Sequence, residues 1–589
     1  MGCRLQQKGM VIKMAKLMLG NQAVARGLYE AGVQVVSSYP GTPSTEITEA
    51  ASGYNKEEMY SEWAPNEKVA CEVAIGASIA GKRAFCAMKH VGLNVAADPL
   101  YTASYTGVNG GLVVAVADDQ GMHSSQNEQD SRNHAKGAKL PMLEPADSGE
   151  CKEFTKIAYD ISEQFDTPVL LRLSTRVAHS QSAVETEDRT EHSKPYEKNP
   201  SKYIMTPANA KGRHVFVEER MKKLTEYAET SPLNKVEMFG DEIGVITCGA
   251  AYQYAREALG ERASYLKLGM VNPLPVKLIK EFAAKVKRLY VIEELDDVIE
   301  THCRKIGLNP VGKELFTLLG EYSQTMIRSK ILGIQPEYNE LSDVIPVRPP
   351  VMCAGCPHRG VFYTLKKLGV FVSGDIGCYT LGSAAPLGAM DTTICMGASI
   401  SGLHGFNKAM KGEYEGKAVA VIGDSTFIHS GITGLIDIAY NGTNSTVLIL
   451  DNSITGMTGH QNNPANGKNI YGDPAAAVDL EALCRAVGID RVTVVDPADL
   501  AALETVIKTE LEAKAPSVII CRRPCALLKS VKHKPSFSIS EDKCKGCKMC
   551  MKIGCPAISI SGGKAKIDNT LCVGCGLCSQ MCRFDAVCE

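Results

Sequence analysis

The chain has 589 residues, 64 Lys and Arg against 66 Asp and Glu, and a formal net charge of −2. That balance gives no electrostatic ground for nucleic acid or another polyanion as a partner. No uncharged apolar run reaches the length of a membrane span, and Met1-Gly2-Cys3-Arg4 is not followed by the apolar core of a signal peptide. The expectation is a cytoplasmic protein without a membrane anchor, with Met14 available as an internal start. The length predicts roughly three to five domains. Twenty-two cysteines are many for a reducing compartment, where disulfides are rare. Eight of them fall from Cys544 to Cys582, which points to a redox-metal protein of an oxygen-poor setting.

From about Met14 to Thr190, helical and apolar strand-like runs alternate. Gln22 to Ala31 predicts a helix and Val33 to Ser38 a strand. The turn Tyr39-Pro40-Gly41-Thr42-Pro43-Ser44 follows, with Pro43 suited to a helix start and Ser44 or Thr42 to a cap. Asn66-Glu67 heads a small-residue helix, Val69 to Gly81, whose Ala70, Ala74, Ala77, Ser78 and Ala80 permit close packing. Glu67 stands where the helix dipole favours a carboxylate, a sufficient reason for it taken alone. Leu112 to Ala117 and Pro168 to Leu173 read as buried strands, and the whole as a doubly wound α/β layout. Asp118 to Asp130 is too polar and too long for a tight turn. It reads either as a substrate-side loop at a sheet edge or as solvated surface.

Residues 178–235 are charged and interrupted by Pro195, Pro200 and Pro207, the pattern of a linker with some helix (Val215 to Glu229). Another α/β unit follows: the strand Ile243 to Thr247, a turn at Gly249, a helix from Ala250, then Pro273-Leu274-Pro275 and the strand Leu289 to Glu293. It carries no catalytic constellation. Glu321 to Pro350 reads as a second connector.

The next α/β domain begins near Arg348. Cys353 and Cys356 form a Cys-x-x-Cys pair ahead of Cys378. The strand Ser517 to Cys521 is followed by Cys525. This spacing suits a redox site, a structural zinc or no shared role. Within the same domain, the stretch Gly423 to Ile454 and the apolar run before it read as one βαβ unit: the strand Ala418 to Ile422, a helix from Ile432 to Tyr440, and the strand Val447 to Leu450. Asp424 and Asn452 stand at the tips of the two strands, at the edge where open α/β sheets bind ligands. A carboxylate, an amide oxygen and a turn carbonyl form a half-cage of hard oxygens suited to Mg²⁺, with room left for phosphate oxygens. The small Gly423 allows close backbone approach to a diphosphate. The stretch resembles the thiamine diphosphate motif Gly-Asp-Gly … Asn-Asn, with Ser425 in place of the second Gly and Ser453 after Asn452.

The tail carries Cys544, Cys547 and Cys550, then Cys555-Pro556; Cys572, Cys575 and Cys578 repeat the spacing before Cys582. This is the two-cluster bacterial ferredoxin arrangement, in which each fourth Cys serves the other cluster. One cluster takes Cys544, Cys547, Cys550 and Cys582, and the other Cys572, Cys575, Cys578 and Cys555. Four residues rather than three precede Cys555, and Arg583 replaces the second Pro; neither change removes a thiolate. Zinc ribbons lack this doubled repeat. Lys543, Lys545, Lys548 and Lys552 form either a solvated face or a landing place for an acidic ferredoxin.

Along nearly its whole length the chain resembles the α subunits of indolepyruvate:ferredoxin oxidoreductases, a branch of the 2-oxoacid:ferredoxin oxidoreductase family. The resemblance lies in the Tyr39–Ser44 turn, Asn66-Glu67, Cys353-Ala354-Gly355-Cys356-Pro357-His358-Arg359, the Gly374–Cys378 turn, the Gly423–Ile454 stretch and the tail. It implies a multidomain α/β thiamine diphosphate enzyme of doubly wound parallel-sheet domains. These are a pyrimidine-type domain at 14–190, a linker at 191–235, a transketolase C-terminal-like domain at 236–335, a diphosphate-type domain at 336–530 and a two-cluster ferredoxin-like domain at 537–589.

The resemblance also implies cofactor contacts at Tyr39, Pro40, Gly41, Thr42, Gly377, Gly423, Asp424, Ser425, Asn452 and Ile454. Mg²⁺ ligands are implied at Asp424, Asn452 and the Ile454 carbonyl. Glu67 is implied as the catalytic carboxylate that hydrogen-bonds the aminopyrimidine. A third [4Fe-4S] cluster near the cofactor falls to Cys353, Cys356, Cys378 and Cys525, with Cys521 the rival for the last place. The γ-type domain of the family is missing, which implies a smaller β subunit and an α₂β₂ heteromer. The implied reaction converts an aryl pyruvate, CoA and oxidised ferredoxin to an arylacetyl-CoA, CO₂ and reduced ferredoxin. Trp63, the one Trp, lies four residues before Glu67 as core or pocket wall. The competing readings are a relative acting on another oxo acid, a non-catalytic electron-transfer subunit hinted at by Ser425, and a carboligase with a fused redox tail.

Overall fold

A computed structural model describes residues 15–337 and 344–588 of the chain. Met14, the suggested internal start, lies outside the described residues, as does part of the second connector. The chain divides near residue 340 into two compact units.

The first unit is built on a seven-stranded sheet in the order Met270–Asn272, Met142–Leu143, Val169–Ser174, Leu112–Asp118, Ala84–Lys89, Val35–Ser38, Tyr60–Trp63. All neighbours run parallel except the first pair. The central strands Leu112–Asp118, Val169–Ser174 and Ala84–Lys89 are buried at every position. Helices on both faces demand that of a parallel sheet, and the strands are accordingly near-continuous apolar runs. Helix Gly20–Glu30 lies close to helix Ser148–Phe165 because Gly27 has no side chain; a Cβ there would stand 2.9 Å from that of Thr155. A four-stranded sheet follows in the order Arg288–Ile292, Ile243–Thr247, Ser264–Lys267, Lys235–Glu237, with only the last strand antiparallel.

The two connectors contain more structure than their charge pattern predicts. Within 178–235, Gln181–Glu185 pairs antiparallel with Ala15–Leu19. The helix there runs Pro207–Thr230, eight residues earlier at its start than Val215. Pro207 occupies the first turn, where a missing N–H costs nothing. In the second connector, Gln324–Leu332 is a helix whose first turn is capped by the Ser323 hydroxyl. Its Ile327 is fully buried beside Ala255 and Tyr265.

The second unit holds a six-stranded, wholly parallel sheet in the order Thr392–Thr393, Phe371–Gly374, Ala418–Gly423, Thr446–Asp451, Ser517–Arg522, Arg491–Val495. The tail belongs to the same unit. It consists of the ribbons Ser538–Ile539 with Val587–Cys588 and Ile558–Ser561 with Lys564–Ile567, and two short helical turns. Among the described residues no helix is long and apolar enough to cross a membrane.

A buried ion network ties the seven-stranded and four-stranded sheets of the first unit together. Arg132 is enclosed, 2.5 Å from Asp130 and 2.5 Å from Glu293, the latter at the end of a strand of the four-stranded sheet. Removing one member of such a set strands the other charges away from water. Arg132→Met is therefore expected to cost about 3–5 kcal/mol, read as an earlier denaturant transition of the first unit.

Candidate functional site

In the largest sheet of each unit the strand order reverses, and ligands of open α/β sheets bind in the crevice above such a switch point. In the first unit the chain passes from Val35–Ser38 outward to Tyr60–Trp63, then returns to the other side at Ala84–Lys89. The carboxyl ends that flank this point carry the Tyr39–Ser44 turn and Lys89-His90. Tyr39 and Pro40 are buried and Gly41 and Thr42 half-buried. The turn is closed by the Ser44 hydroxyl donating to the Gly41 carbonyl at 2.8 Å and by Asn21 donating to the Pro43 carbonyl at 2.7 Å.

Glu67 opens helix Glu67–Ile79, which Asn66 caps by accepting from the Val69 N–H at 2.9 Å. Glu67 is buried, 5 % exposed, and its carboxyl group lies against the bare backbone of Gly92, where a Cβ would come within 2.6 Å of it. Only glycine at 92 leaves that carboxyl in place.

Sequence reasoning passed over Lys89 and His90. The Lys89 ammonium donates to the Ser124 carbonyl at 2.6 Å and hydroxyl at 3.3 Å, and burial pulls it down to about 8 against the pull of Asp119. Burial likewise lowers His90, whose Nε2 meets the Asn127 carbonyl at 3.2 Å. The signal was present: two polar residues ending an apolar strand at a switch point. The polar loop Asp118 to Asp130 divides in two. Asp118 binds Arg172 and Ser131, and Asp130 binds Arg132. Asp119 accepts from Ser124, Ser125 and Thr175. These acids hold the fold, while Gly121, Met122, His123 and Ser124 are exposed.

In the second unit the switch point lies between Phe371–Gly374 and Ala418–Gly423, which brings Asp375–Cys378 beside Asp424. The helix after Asp424 starts at once, as Asp424–Thr426, earlier than Ile432. A single π turn, Phe427–Gly431, then leads into Ile432–Asn441; such turns are frequent at functional sites. Asp424 is fully buried and pushed up to about 7, first by burial and then by the neighbouring charge of Asp451. The Asn463 amide reaches it only at 3.4 Å. A buried carboxylate beside a second acid, with no cation acting on it among the described residues, suits a divalent cation.

Asn452 follows strand Thr446–Asp451. Its Oδ1 accepts from the Ile454 N–H at 3.2 Å and retains a second lone pair, while its Nδ2 lies 3.3 Å from His358 Nε2. The Ser425 hydroxyl meets that of Thr455 at 3.0 Å. The smallness of Gly423 and Gly377 has a further cause: the ring of Tyr379 lies against both, and a Cβ would approach it within 2.7 and 2.4 Å. Asp375, unassigned from the sequence, accepts from the N–H groups of Ile376, Gly397 and Ser399 and so secures the start of helix Ala398–Ala409.

The thiols gather in three sets. Cys544, Cys547, Cys550 and Cys582 line one pocket, walled by Ile539, Ala565 and Val587. Cys555, Cys572, Cys575 and Cys578 line another, walled by Phe537, Ile558 and Ile567. Each pocket takes three thiols from one Cys-x₂-Cys-x₂-Cys run and its fourth from the other. Four thiols around an apolar hollow fit an iron–sulfur cubane.

The third set is looser. Cys353 and Cys378 act on Cys356, which burial raises to about 12. Cys525 and Cys353 act on Cys378, raised by burial to about 11. The Cys525 N–H donates to the Asn452 carbonyl at 3.0 Å, so this set adjoins the Asp424–Asn452 edge. Cys521 lies in the apolar core under the sheet, raised to about 12 by burial, and no other thiol acts on it. Among the described residues no three Cys, His, Asp or Glu side chains close on a single metal ion.

Three family models match the chain. They are the thiamine diphosphate-binding region of pyruvate flavodoxin/ferredoxin oxidoreductases over residues 26–240, the C-terminal thiamine pyrophosphate-binding domain of thiamine pyrophosphate enzymes over 375–521, and a 4Fe-4S binding domain over 565–588. The indolepyruvate oxidoreductase subunit IorA of Archaeoglobus fulgidus is 40 % identical over 97 % of this chain and 97 % of its own. That of Pyrococcus abyssi is 40 % identical over 97 % and 96 %. The 2-oxoglutarate synthase subunit KorA of Methanothermobacter thermautotrophicus is 25 % identical over 46 % of this chain and 86 % of its own. With two parallel-sheet units, a buried acid at each switch point and a ferredoxin-like tail, the chain belongs to the IorA family of thiamine diphosphate-dependent 2-oxoacid:ferredoxin oxidoreductase subunits.

Proposed function

We propose that this chain is the catalytic α subunit of an enzyme that oxidatively decarboxylates aryl pyruvates (indolepyruvate, phenylpyruvate and 4-hydroxyphenylpyruvate). CoA is the acyl acceptor, and the products are an arylacetyl-CoA, CO₂ and reduced ferredoxin. One observation carries the reading: the buried carboxylate of Asp424 and three sets of thiols belong to one compact unit. A decarboxylase or carboligase releases no electrons and has no use for such a set, whereas an oxidation must dispose of two, and clusters accept them singly. The aryl preference rests on relatives named for indolepyruvate that align over 97 % of the chain.

Asp424, Asn452 and the Ile454 carbonyl are assigned to Mg²⁺, with Gly423, Ser425 and Gly377 beside the diphosphate. Tyr39, Pro40, Gly41 and Thr42 are assigned to the ring end of the cofactor, and Glu67 to the aminopyrimidine, where it holds and returns a proton. Thiamine diphosphate, when bound, supplies the nucleophilic carbon that makes loss of CO₂ from a 2-oxo acid possible. Cys353, Cys356, Cys378 and Cys525 are assigned to a [4Fe-4S] cluster nearest that edge, and the two tail quartets to one cluster each. A smaller β subunit contributes the γ-type domain in an α₂β₂ assembly, and an acidic ferredoxin takes the electrons away.

The deciding measurement is anaerobic visible absorbance of the assembled enzyme with CoA and indolepyruvate, phenylpyruvate or pyruvate in turn. Rapid cluster bleaching with the aryl acids and not with pyruvate is expected; bleaching with pyruvate alone overturns the substrate assignment, and no bleaching overturns the enzyme. Asp424→Ala is expected to abolish cofactor retention and turnover while iron content holds. Glu67→Gln should keep the cofactor and lose about 10²- to 10⁴-fold in kcat. Cys582→Ser is expected to deplete the cluster of Cys544, Cys547 and Cys550, and Cys555→Ser that of Cys572, Cys575 and Cys578; iron analysis and EPR read the crossing directly.

A further inference from the structure

Arg359 closes the Cys353–Arg359 motif, and the proposed reaction gives its charge no role. It is 2 % exposed, on helix His358–Leu368 just past Cys356. Its guanidinium donates to four backbone carbonyls. Two belong to the loop that carries the Cys-x-x-Cys pair: Met352, and Cys353 at 3.0 Å. Two belong to the tail, immediately before Cys555: Ile553 at 3.1 Å and Gly554 at 2.5 Å. All these acceptors are neutral. The ionisable groups that act on the charge are thiols, negative only once they are thiolates: Cys555 and Cys575 from one tail quartet, and Cys356 and Cys353 from the Cys-x-x-Cys loop. A buried cation without a carboxylate is costly, and Arg stays charged at any working pH.

The surroundings show that this charge stands between two sites. Arg359, Ala354 and Gly355 wall the pocket of Cys555, Cys572, Cys575 and Cys578, and none of them borders the pocket of Cys544, Cys547, Cys550 and Cys582. Gly355 has φ +69°, and a Cβ there would lie 2.1 Å from Val573, between Cys572 and Cys575. The Cys-x-x-Cys loop and the second run of tail cysteines are thus in van der Waals contact, with Arg359 binding one to the other.

We infer that Arg359 is the shared counter-charge of the two clusters that face each other across this contact, and the clasp that fixes their separation. The inference rests on the reading of both thiol sets as [4Fe-4S] sites. Reduction adds one electron to a cluster and moves no bond, so a fixed cation beside it favours the reduced form and raises its potential; net charge and hydrogen bonding are the protein's usual means of tuning these sites. The guanidinium has five N–H donors in a rigid fork, enough for four carbonyls on two segments; a Lys ammonium has three.

The test is an EPR-monitored redox titration of the assembled enzyme carrying Arg359→Met, Arg359→Gln or Arg359→Lys. The cluster of Cys544, Cys547, Cys550 and Cys582 is the internal reference. Met and Gln are expected to lower the reduction equilibrium of the other two clusters by ten-fold or more, about 59 mV for one electron, and to leave the reference unmoved. Lys is expected to restore most of that shift while weakening the magnetic coupling between the two near clusters, because the charge returns and the clasp does not. Unchanged potentials in both neutral variants, or a reference that moves as far as the near clusters, would overturn the assignment. Gln keeps part of the clasp, so it serves where Met fails to assemble. Iron content of the unaltered chain separates the two failures: well below about twelve atoms, three cubanes of four, the cluster reading itself falls, whereas full iron with unmoved potentials removes only the role of Arg359.

Discussion

Every strand of the six-stranded sheet runs the same way, and the seven-stranded sheet departs from that only at one edge. A parallel sheet sends all its carboxyl ends to a single side, and the reversal of strand order opens a crevice there. The candidate residues follow from that constraint. Gly374 to Cys378, Asp424 and Asn452 are ends of consecutive neighbours in one sheet, and Tyr39 to Ser44 and Lys89-His90 flank the reversal in the other. Glu67 begins the helix that leaves the carboxyl end of Tyr60–Trp63. The proposed catalytic groups lie there because side chains from segments distant in sequence can meet there without disturbing the buried strands.

The interior holds several charged side chains, and they differ in purpose. Arg132, Asp130 and Glu293 satisfy one another, as Arg172 does with Asp118 and Glu144. Each set holds one guanidinium between two carboxyl groups and serves to lock packing. Asp424 and Arg359 are different. Asp424 is pushed up to about 7 by burial and Asp451, and Arg359 faces only carbonyls and thiols. Each is a buried charge that the protein alone leaves uncompensated, and each stands where a group of opposite charge is assigned: a divalent cation at the first, anionic clusters at the second.

Much of this was legible in the residues. Cysteine spacing is a local covalent fact, so the doubled Cys-x₂-Cys-x₂-Cys run announced a ferredoxin-like tail, and the crossing of Cys555 and Cys582 follows from that arrangement. The Gly-Asp tip of an apolar run and the Asn tip of the next announced a βαβ unit, because strand length and turn chemistry are written within a few residues. Charge patterning was a poorer guide. The connector 178–235 looked solvated, yet it forms a strand against Ala15–Leu19 and a 24-residue helix, since tertiary partners override weak local propensity. The acids of the Asp118–Asp130 loop looked available, yet Arg172 and Arg132 reach them from the body of the fold.

The sequence by itself determined the kinds of element, the class of sheet, the grouping of the tail thiols and the family to which the chain belongs, all of which depend on spacing within short segments. Only the tertiary structure decided which residues stand together across long separations. It set Tyr379 against both Gly377 and Gly423, Gly92 beneath Glu67, Cys525 rather than Cys521 among the thiols near Asn452, and Arg359 between the Cys353 loop and the tail. The physical reason is that burial and electrostatic environment are properties of the packed neighbourhood, and no spacing along the chain encodes how close a guanidinium lies to a thiol nearly two hundred residues away.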